Sequence, residues 1–389
     1  MSLTDASFES ISGLTTTGST VLTGLDDLPR GLLLWRAILQ WIGGIGIIVT
    51  AIAILPTLRV GGMQLFQLES SDVSGKFLPR VTEIASQTGL IYLFLSALCA
   101  ALYYANGMSS FDAIAHAMTT MAAGGYSTHD ASFGYFGNGA ASVAILFMIF
   151  AGLPFARFVM MVRGQPLAIW RDPQTRLFLG FIVVSTALLV AYAYGPGGTE
   201  FEEAEDAVRT TAFNVVSVMT GTGYANADYN TWGPGAVTVF LGLMFLGGCA
   251  GSAACGMKMF RIEIASKAVV AYTKRMTRPH RKTPVRYAGR VVDEDTLQSV
   301  MVFVFLYLST FLVAAALLGL TGVDALTAIS GAATSVSNVG PGLGDTIGPA
   351  GTFQTLPSAA KWICAIAMLL GRLEFVAVFV VLTRRFWRG

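Results

Sequence analysis

Charged side chains are scarce in this sequence, and histidine and cysteine are scarcer still. Asp, Glu, Lys and Arg together make up 12% of the 389 residues, whereas a soluble domain carries about 25%. With hydrophobic residues at 54%, this composition excludes an ordinary soluble domain and predicts an integral membrane protein. The formal net charge of +2 gives no reason to expect a nucleic-acid partner.

The few cysteines and histidines do not form a recognisable site. All four cysteines lie in apolar or glycine-rich stretches without metal-ligand spacing: Cys99, Cys249, Cys255 and Cys364. We interpret them as buried thiols rather than as a disulfide or zinc site. His116 is expected to be buried and neutral, and His129 and His280 to lie in loops. Because a Walker loop, a catalytic triad and paired carboxylates are also missing, we do not expect an enzyme.

What the sequence does contain is a fourfold internal repeat of short glycine-bearing stretches, which we call the first to fourth glycine turns. They are Thr15–Thr20, Ala122–Thr128, Thr220–Ala225 and Ser337–Gly344, with central glycines Gly18, Gly125, Gly223 and Gly340. Each turn follows a short helical segment that opens with Asp-Ala, at Asp5, Asp112, Asp206 and Asp324. An apolar run follows each turn. The repeat predicts one unit of helix, glycine turn and spanning helix, used four times.

Seven apolar runs are long enough to cross a bilayer, which takes about 20 residues. They lie near Gly31–Leu55, Ile84–Tyr104, Ala140–Val162, Leu177–Tyr194, Val237–Val270, Leu297–Leu320 and Lys361–Leu382. In a seven-span chain the basic connections, above all Lys258–Arg290, share one side, and acidic segments such as Glu200–Asp206 share the other. Because basic loops face the cytoplasm, the C-terminus is predicted to be cytoplasmic and residue 1 to lie outside.

The start of the chain fits this topology poorly. Residues 1–10 have neither the basic segment nor the apolar core of a signal peptide. The first Asp-Ala helix also has no spanning helix before it, unlike the other three. We therefore expect the sequence to lack its natural N-terminus, including at least one helix.

The four Asp-Ala helices are too short to cross the membrane, and both flanks of each lie outside. They must enter and return, and non-helical backbone at membrane depth is stable only when buried in protein or lining a watery cavity. We predict an all-α integral membrane protein with four pseudo-repeats of outer helix, re-entrant pore helix with filter loop, and inner helix around a central pore, the first outer helix being absent. The repeats are residues 1–78, 79–170, 171–290 and 291–389.

The glycine turns offer backbone rather than ionisable side chains. Glycine tolerates positive φ, which lets successive carbonyls point the same way, and a ring of carbonyls can replace the hydration shell of potassium. Each Asp is placed to cap its helix, 13, 13, 17 and 16 residues before the central glycine. The helix C-terminal ends would turn partial negative charge toward a cation. The alternative is that the glycines only allow close helix packing; four matching turns favour a filter.

Two further features lie inside predicted spans. The fifth span contains Gly247–Gly256 (GGCAGSAACG), which is too rich in glycine for a stable helix. We expect the span to break there into a loop that acts as a gate; the alternative is a packing notch for a neighbouring helix. Arg372 lies in the last span close to Glu374 and is expected to sit below the filter as an electrostatic barrier. A structural salt bridge is the alternative for Arg372.

These stretches resemble the Trk/Ktr/HKT superfamily of potassium transporters, and most closely its bacterial TrkH-type subunits. The resemblance covers essentially the whole chain. It rests on TTTGST followed by LLLWRAILQWIGGIGIIV, on AAGGYST, TGTGYA, GGCAGSAACGMK and SNVGPGLG, and on GRLE. It implies four repeats around one potassium-selective path, homodimers with one pore in each subunit, and a place in the bacterial cytoplasmic membrane. It also implies a cytosolic nucleotide-binding regulatory subunit of the TrkA type, with no cofactor in this chain and potassium as the permeant.

By matching position, the resemblance also implies roles for particular residues. The filter would be formed by Thr16, Thr17, Gly18, Ala123, Gly124, Gly125, Gly221, Thr222, Gly223, Asn338, Val339 and Gly340, and the gate by Gly247, Gly248, Gly251, Gly256 and Arg372. The basic stretch Lys274–Arg290 would be a docking surface for the regulatory subunit; topology together with anionic lipid is the plainer explanation. Since the fourth turn has Asn338-Val339 where others have threonine, selectivity is expected to be less strict than in a fourfold-symmetric channel.

Other functions remain compatible with this pattern. A sodium or sodium-coupled potassium pathway would keep the same fold, and channel-like and coupled passage are not distinguished. A non-conducting scaffold or fragment would be explained by the missing N-terminus. A secondary transporter with half-helix substrate sites would show twofold symmetry, whereas the Asp-Ala pattern recurs four times.

Overall fold

The structure is a computed structural model that describes residues 1–53, 77–197, 201, 203–278 and 283–373. Regular structure within these ranges is helical except for an antiparallel hairpin, β1 Arg286–Tyr287 and β2 Arg290–Val291. The all-α architecture predicted from the sequence is therefore confirmed.

The helices follow the order expected from the apolar pattern. In chain order they are α1 Leu3–Leu14, α2 Arg30–Ala53, α3 Phe77–Ala105, α4 Ser110–Met121, α5 Asn138–Gly152, α6 Phe155–Val162, α7 Ala168–Arg171, α8 Pro173–Ala193, α9 Ala204–Thr220, α10 Pro234–Met244, α11 Met259–Thr277, α12 Glu294–Leu320, α13 Ala325–Ser337, α14 Gly344–Ile347 and α15 Ser358–Arg372.

Four helices in the described part of the chain are long and apolar enough to cross a membrane: α2, α3, α8 and α12. They match the first, second, fourth and sixth predicted spans. The prediction of one continuous third span is wrong, because α5 and α6 meet at 94°. The break falls at Leu153-Pro154, where Pro154 lacks an amide hydrogen and Leu153 is extended (ψ 157). The fifth span is interrupted between α10 and α11. The part of the seventh predicted span after residue 373 lies outside the described residues.

The four Asp-Ala helices are α1, α4, α9 and α13, and the prediction that an Asp caps each of them is wrong for three. Only Asp324 occupies the N-cap, accepting a hydrogen bond from the Thr327 amide at 3.0 Å. Asp5 and Asp112 lie one turn further in, behind the N-cap serines Ser2 and Ser109. Each serine hydroxyl accepts from the Asp amide at 3.1 Å, and in α1 the Asp5 carboxylate also accepts from the Ser2 amide, which completes a capping box.

In the third Asp-Ala helix, α9, Asp206 lies in the first turn and pairs with Arg209 at 2.6 Å. Its N-cap residue is Glu203, whose side chain makes no capping hydrogen bond.

Counting from the true N-caps changes the comparison of the repeats. The N-cap residue lies sixteen residues before the central glycine in the first, second and fourth repeats, and twenty before it in the third. The repeat that differs is therefore the third, whose short helix is longer by about one turn.

The short helices lie at the centre and the long ones at the perimeter. In α13 every residue from Ser330 to Ser337 is buried, and α9 is similarly enclosed from Phe213 onward. By contrast α12 exposes large apolar side chains such as Phe305 and Leu312, as expected of a lipid-facing helix.

The helices that follow the glycine turns connect neighbouring repeats. Helix α2 packs against α4, α5 against α9 and α10 against α13, and α15 packs back against α1. The contacts thus close a circle of four units, while the residue boundaries assigned to the repeats stay a prediction.

Candidate functional site

Each short helix ends in the same way at its glycine turn. The residue two before the central glycine adopts a left-handed conformation in all four turns: Thr16 (φ 53°), Ala123 (φ 51°), Gly221 (φ 72°) and Asn338 (φ 53°). The next amide donates to the carbonyl five residues back, from Thr17 to Ser12, Gly124 to Thr119, Thr222 to Ser217 and Val339 to Thr334, at 2.9–3.0 Å. This pattern is a Schellman-type cap, in which glycine is usually found.

The left-handed position is costly where it is not glycine. Thr16, Ala123 and Asn338 each give up about 1–2 kcal/mol relative to a right-handed residue. Such strain persists only where the surrounding structure fixes it, and it concentrates at functional sites. The third turn has Gly221 instead, where a β-carbon would lie 3.0 Å from the Asn338 carbonyl oxygen and 3.1 Å from Cys255 Cβ.

The central glycine of each turn is left-handed as well, with φ of 86°, 76°, 80° and 114° at Gly18, Gly125, Gly223 and Gly340. Left-handed residues therefore alternate with other conformations along each turn, which allows neighbouring carbonyls to face the same side.

The four turns meet in a ring. Each central glycine faces the carbonyl oxygen of the residue before the glycine in the following turn. The facing pairs are Gly18 with Gly124, Gly125 with Thr222, Gly223 with Val339, and Gly340 with Thr17. A β-carbon on any of the first three glycines would overlap that oxygen, and on Gly340 it would lie 2.9 Å from it. The structure thus brings together all twelve residues predicted for the filter.

The ring is narrow. A β-carbon on Gly18 would lie only 3.6 Å from the carbonyl oxygen of Thr222, which belongs to the opposite turn. The side chain of Ser19 closes the ring between the first and fourth turns, since its hydroxyl donates to the Gly340 carbonyl at 2.7 Å.

Side chains behind the ring follow a lower symmetry than the backbone. In the first turn the hydroxyls of Thr15 and Thr17 lie 2.7 Å apart, and in the third those of Thr220 and Thr222 do the same. The other two turns lack this pair of threonines. In the fourth, Asn338 donates to the Thr17 hydroxyl at 2.8 Å and to the Met368 carbonyl at 2.9 Å.

Residues on α2 support the ring, and sequence reasoning missed them. Gln40 is fully buried; its amide donates to the Gly124 carbonyl and its oxygen accepts from the Tyr126 amide at 3.1 Å. One turn earlier, Arg36 donates to Glu9 at 2.8 Å and to the Ser127 carbonyl at 3.1 Å. A charged residue within an apolar span is a functional signal, and Arg36 with Gln40 four residues later share one helix face.

We expect Gln40→Leu to destabilise the second turn, because two buried backbone groups would lose their partner at about 1–3 kcal/mol each. Thermal unfolding of the purified protein should occur at a lower temperature than in wild type. Gln40→Glu keeps the acceptor for Tyr126 but loses the donor to Gly124. Its unfolding temperature should therefore lie between those of wild type and Gln40→Leu. An unchanged unfolding temperature in both variants would contradict this role.

The glycine loop connects α10 to α11, and three of its backbone hydrogen bonds go to residues around the end of α5 and the start of α6. The amides of Cys249 and Ala253 donate to the carbonyls of Gly152 and Ala151 at 2.9 and 3.0 Å, and the Phe155 amide donates back to Gly251 at 3.0 Å. The loop is thus attached to the sharp bend between α5 and α6. The predicted break of the span is present.

The four predicted glycines of this loop have two different reasons to be glycine. Gly251 and Gly256 are left-handed, with φ of 72° and 70°. Gly248 is closely packed, since a β-carbon there would lie 2.9 Å from the Gly152 carbonyl, and Gly247 is packed against Cys255 and Met257. Of these two packed glycines, only Gly248 is packed against a neighbouring helix, at Gly152 of α5; the contacts of Gly247 lie within the loop itself.

Cys255 places the loop across the axis of the ring. Its amide donates to the Thr220 carbonyl of the third turn at 3.4 Å, and its thiol lies 3.5 Å from the Thr16 hydroxyl of the first turn. Since the first and third turns are opposite in the ring, a residue that touches both lies close to the axis, on the side of the helix ends.

Arg372 is buried beside this loop, with 7% of its surface exposed. Its guanidinium donates to the Ala253 carbonyl at 3.3 Å, to the Cys255 thiol, and to the Gly43 carbonyl at 3.4 Å. Within residues 1–373, as far as the structure describes them, its partners include no carboxylate; Glu374 lies outside the described residues. A cavity of about 30 Å³ adjoins Arg372, Lys258 and Asn338.

On the other side of the ring, acidic side chains lie in the loops. Asp26, after the first turn, contacts His129 and accepts from the Asp130 amide at 3.3 Å. The hydrogen bond from His129 lowers the pKa of the Asp26 carboxyl, so this carboxylate stays charged at neutral pH. The predicted acidic residues Glu200 and Glu202 lie outside the described residues.

A ring of re-entrant turns enclosed by apolar spanning helices defines a multi-pass α-helical membrane transport protein. Comparison with known proteins gives the family. The TrkH cation transport protein model matches residues 1–387, and the chain belongs to that family. The family is one of cation transporters, which confirms the expectation that this chain is not an enzyme.

Similar proteins support this assignment over the whole chain. The Trk system potassium uptake protein TrkI of Halomonas elongata is 45% identical, over all of this chain and 78% of the relative. TrkH of Escherichia coli K12 is 38% identical, over all of this chain and 80% of the relative. The crystal structure of the potassium transporter TrkH from Vibrio parahaemolyticus superposes with a TM-score of 0.90 at 35% identity, covering 100% of this chain and 80% of that one.

Proposed function

We propose that this chain takes up potassium through the ring formed by the four glycine turns. The observation that carries the proposal is the cyclic contact of Gly18, Gly125, Gly223 and Gly340 with one another's neighbouring carbonyls. Relatives named as potassium uptake proteins support potassium as the ion.

The chemistry follows from the backbone. The carbonyl oxygens before the central glycines, those of Thr17, Gly124, Thr222 and Val339, each face the glycine of a neighbouring turn and would replace the water around a dehydrated potassium ion. The C-terminal ends of α1, α4, α9 and α13 also lead into the ring, where their partial negative charge favours a cation.

The gate in this proposal is the loop Gly247–Gly256 together with Arg372. Cys255 lies across the axis between opposite turns, and Arg372 holds Cys255 and the Ala253 carbonyl in place. A cation that leaves the ring on this side meets both the loop and a buried guanidinium. Opening therefore requires that the loop and Arg372 separate.

The remaining expectations concern the cellular setting. We propose that the chain works as a homodimer in the bacterial cytoplasmic membrane with its C-terminus in the cytoplasm. A nucleotide-binding regulatory subunit of the TrkA type would bind the basic face that includes Lys274 and Arg290. Cross-linking of Lys274→Cys to a co-expressed regulatory subunit would test that contact.

The sodium alternative is favoured by one observation, the unequal side chains behind the ring. Val339 replaces the threonine of the first and third turns, so the fourth turn lacks the paired hydroxyls seen in those two. Such a ring is less uniform than a fourfold-symmetric one, and we expect measurable sodium passage beside potassium.

Ion flux into liposomes tests the proposed function and separates these alternatives. With the purified chain, we expect potassium flux together with a reversal potential in mixed potassium and sodium that favours potassium. Growth of an uptake-deficient bacterium on limiting potassium, with and without sodium, shows whether sodium is required. No flux from this chain, but flux from one extended upstream, would mean that the present chain does not conduct alone.

A further inference from the structure

A basic cavity of about 610 Å³ lies apart from the ring and the glycine loop. Its lining comes from α6, the end of α7, the start of α8, α11 and the β1–β2 hairpin: Arg157, Arg171, Pro173, Arg176, Glu263, Lys267, Arg286, Ala288 and Gly289. The volume is within the range of small-molecule sites.

The cavity carries an excess of positive charge. Two of its five cationic side chains have carboxylate partners, Arg157 with Asp172 at 2.8 Å and Lys267 with Glu263 at 2.5 Å. The other three, Arg171, Arg176 and Arg286, are exposed and form no ion pair with any residue that the structure describes. Three guanidinium groups around one space fit a phosphate, whose oxygens accept paired hydrogen bonds from arginine.

The walls of this cavity are held together without a ligand. Lys267 on α11 also donates to the Arg286 carbonyl of the hairpin at 3.1 Å. Asp172 caps α8 by accepting from the Gln174 amide at 3.0 Å while it binds Arg157. The arginines therefore project from a fixed frame, which reduces the entropy lost on binding.

The surroundings place the cavity at the depth of lipid headgroups. It lies where the spanning helix α8 begins, about 30 Å along that helix from its other end. Next to Arg171, Trp170 is 61% exposed and Leu167 is 54% exposed. Tryptophan is enriched where a membrane meets water, and basic pockets between spanning helices on the cytoplasmic side suit anionic headgroups.

We propose that this cavity binds the phosphate of an anionic phospholipid headgroup. The headgroup would bridge α8 and the hairpin beside α11, and α11 begins directly after the glycine loop. The inference does not depend on which ion the protein carries.

Native mass spectrometry of the purified full chain, titrated with phosphatidylglycerol, tests the site. In the variant Arg171→Gln/Arg176→Gln/Arg286→Gln, the tightest phosphatidylglycerol should bind at least about tenfold more weakly, because each basic residue contributes to headgroup attraction. A matched control is Arg30→Gln/Arg163→Gln/Arg209→Gln, which removes the same charge from positions outside the cavity and outside the stretch Lys274–Arg290. The control should bind within about twofold of wild type.

Further arms separate the possible outcomes. The variant Arg171→Lys/Arg176→Lys/Arg286→Lys keeps the charge but loses the paired donors of arginine, so it should bind more tightly than the glutamine variant and less tightly than wild type. An unfolding temperature of the glutamine variant equal to that of wild type excludes misfolding as the cause of its weaker binding. Equal loss in the cavity and control variants would indicate general surface attraction and overturn the proposal. Saturable binding of inorganic phosphate that the cavity variant abolishes, without saturable lipid binding, would assign the cavity to a soluble phosphate and overturn the lipid as its source.

Discussion

Replacing Gly223 by alanine is expected to abolish potassium flux. The new methyl group would overlap the Val339 carbonyl oxygen, and the residue has φ of 80°, where alanine costs about 1–2 kcal/mol. The carbonyl must move away, so a potassium ion in the proposed filter would lose one of its ligands. We expect flux into liposomes to fall at least about a hundredfold, which needs a change of roughly 3 kcal/mol.

The four glycines should not be equally sensitive. Gly18→Ala and Gly125→Ala meet the same overlap as Gly223→Ala, whereas a methyl group on Gly340 has 2.9 Å to the Thr17 oxygen; Gly340→Ala should be the mildest. Gly242→Ala is a matched control, because nothing lies within 4 Å of a β-carbon there. A folded Gly223→Ala protein with normal flux and selectivity would show that the ring is not the ion path.

Removing the guanidinium in Arg372→Ala is expected to raise flux in the absence of any regulatory subunit. The loop would lose charge-assisted hydrogen bonds to the Ala253 carbonyl and the Cys255 thiol, each of which contributes about 1.5–3 kcal/mol. The positive charge beneath the ring would also disappear. We expect flux at least about tenfold above wild type, with a changed dependence on ion concentration.

Two controls make this result specific to Arg372. Arg372→Lys keeps the charge but loses the planar donor pair. Its flux should therefore separate the effect of the positive charge from the effect of the hydrogen bonds between Arg372 and the loop. Arg163→Ala removes an exposed arginine that pairs with Glu83 on the protein surface and should leave flux unchanged. A less stable Arg372→Ala protein with unchanged flux and concentration dependence would support the structural salt-bridge alternative instead.

Much of the fold could be predicted because lipid exposure leaves a strong pattern in the sequence. The sixth predicted span, Leu297–Leu320, differs from α12 by three residues at its start. The bend at Pro154 was not predicted because residues 140–162 are apolar on both sides of it, and hydropathy does not report a change in the direction of a helix axis. The caps Ser2 and Ser109 had a local signal, serine three residues before Asp, that the repeated Asp-Ala pattern obscured.

The glycines of the candidate site could be predicted from the sequence, whereas the residues that support the ring could not. Four glycines in matching contexts indicate a common backbone conformation, and Gly18, Gly125, Gly223 and Gly340 indeed share it. That Gln40 reaches Gly124 across 84 residues of sequence depends on how α2 packs on α4, which no local pattern encodes. Passage of ions through the ring and gating by the loop stay proposals that the experiments above decide.

The bend between α5 and α6 makes the loop inseparable from the second repeat. Ala151, Gly152 and Phe155 share three backbone hydrogen bonds with the loop, in an interior where unmatched amides are expensive. The loop can move only if those hydrogen bonds break or if the bend between α5 and α6 moves with it. A displacement of α6 would therefore be transmitted through these hydrogen bonds to the loop that contains Cys255.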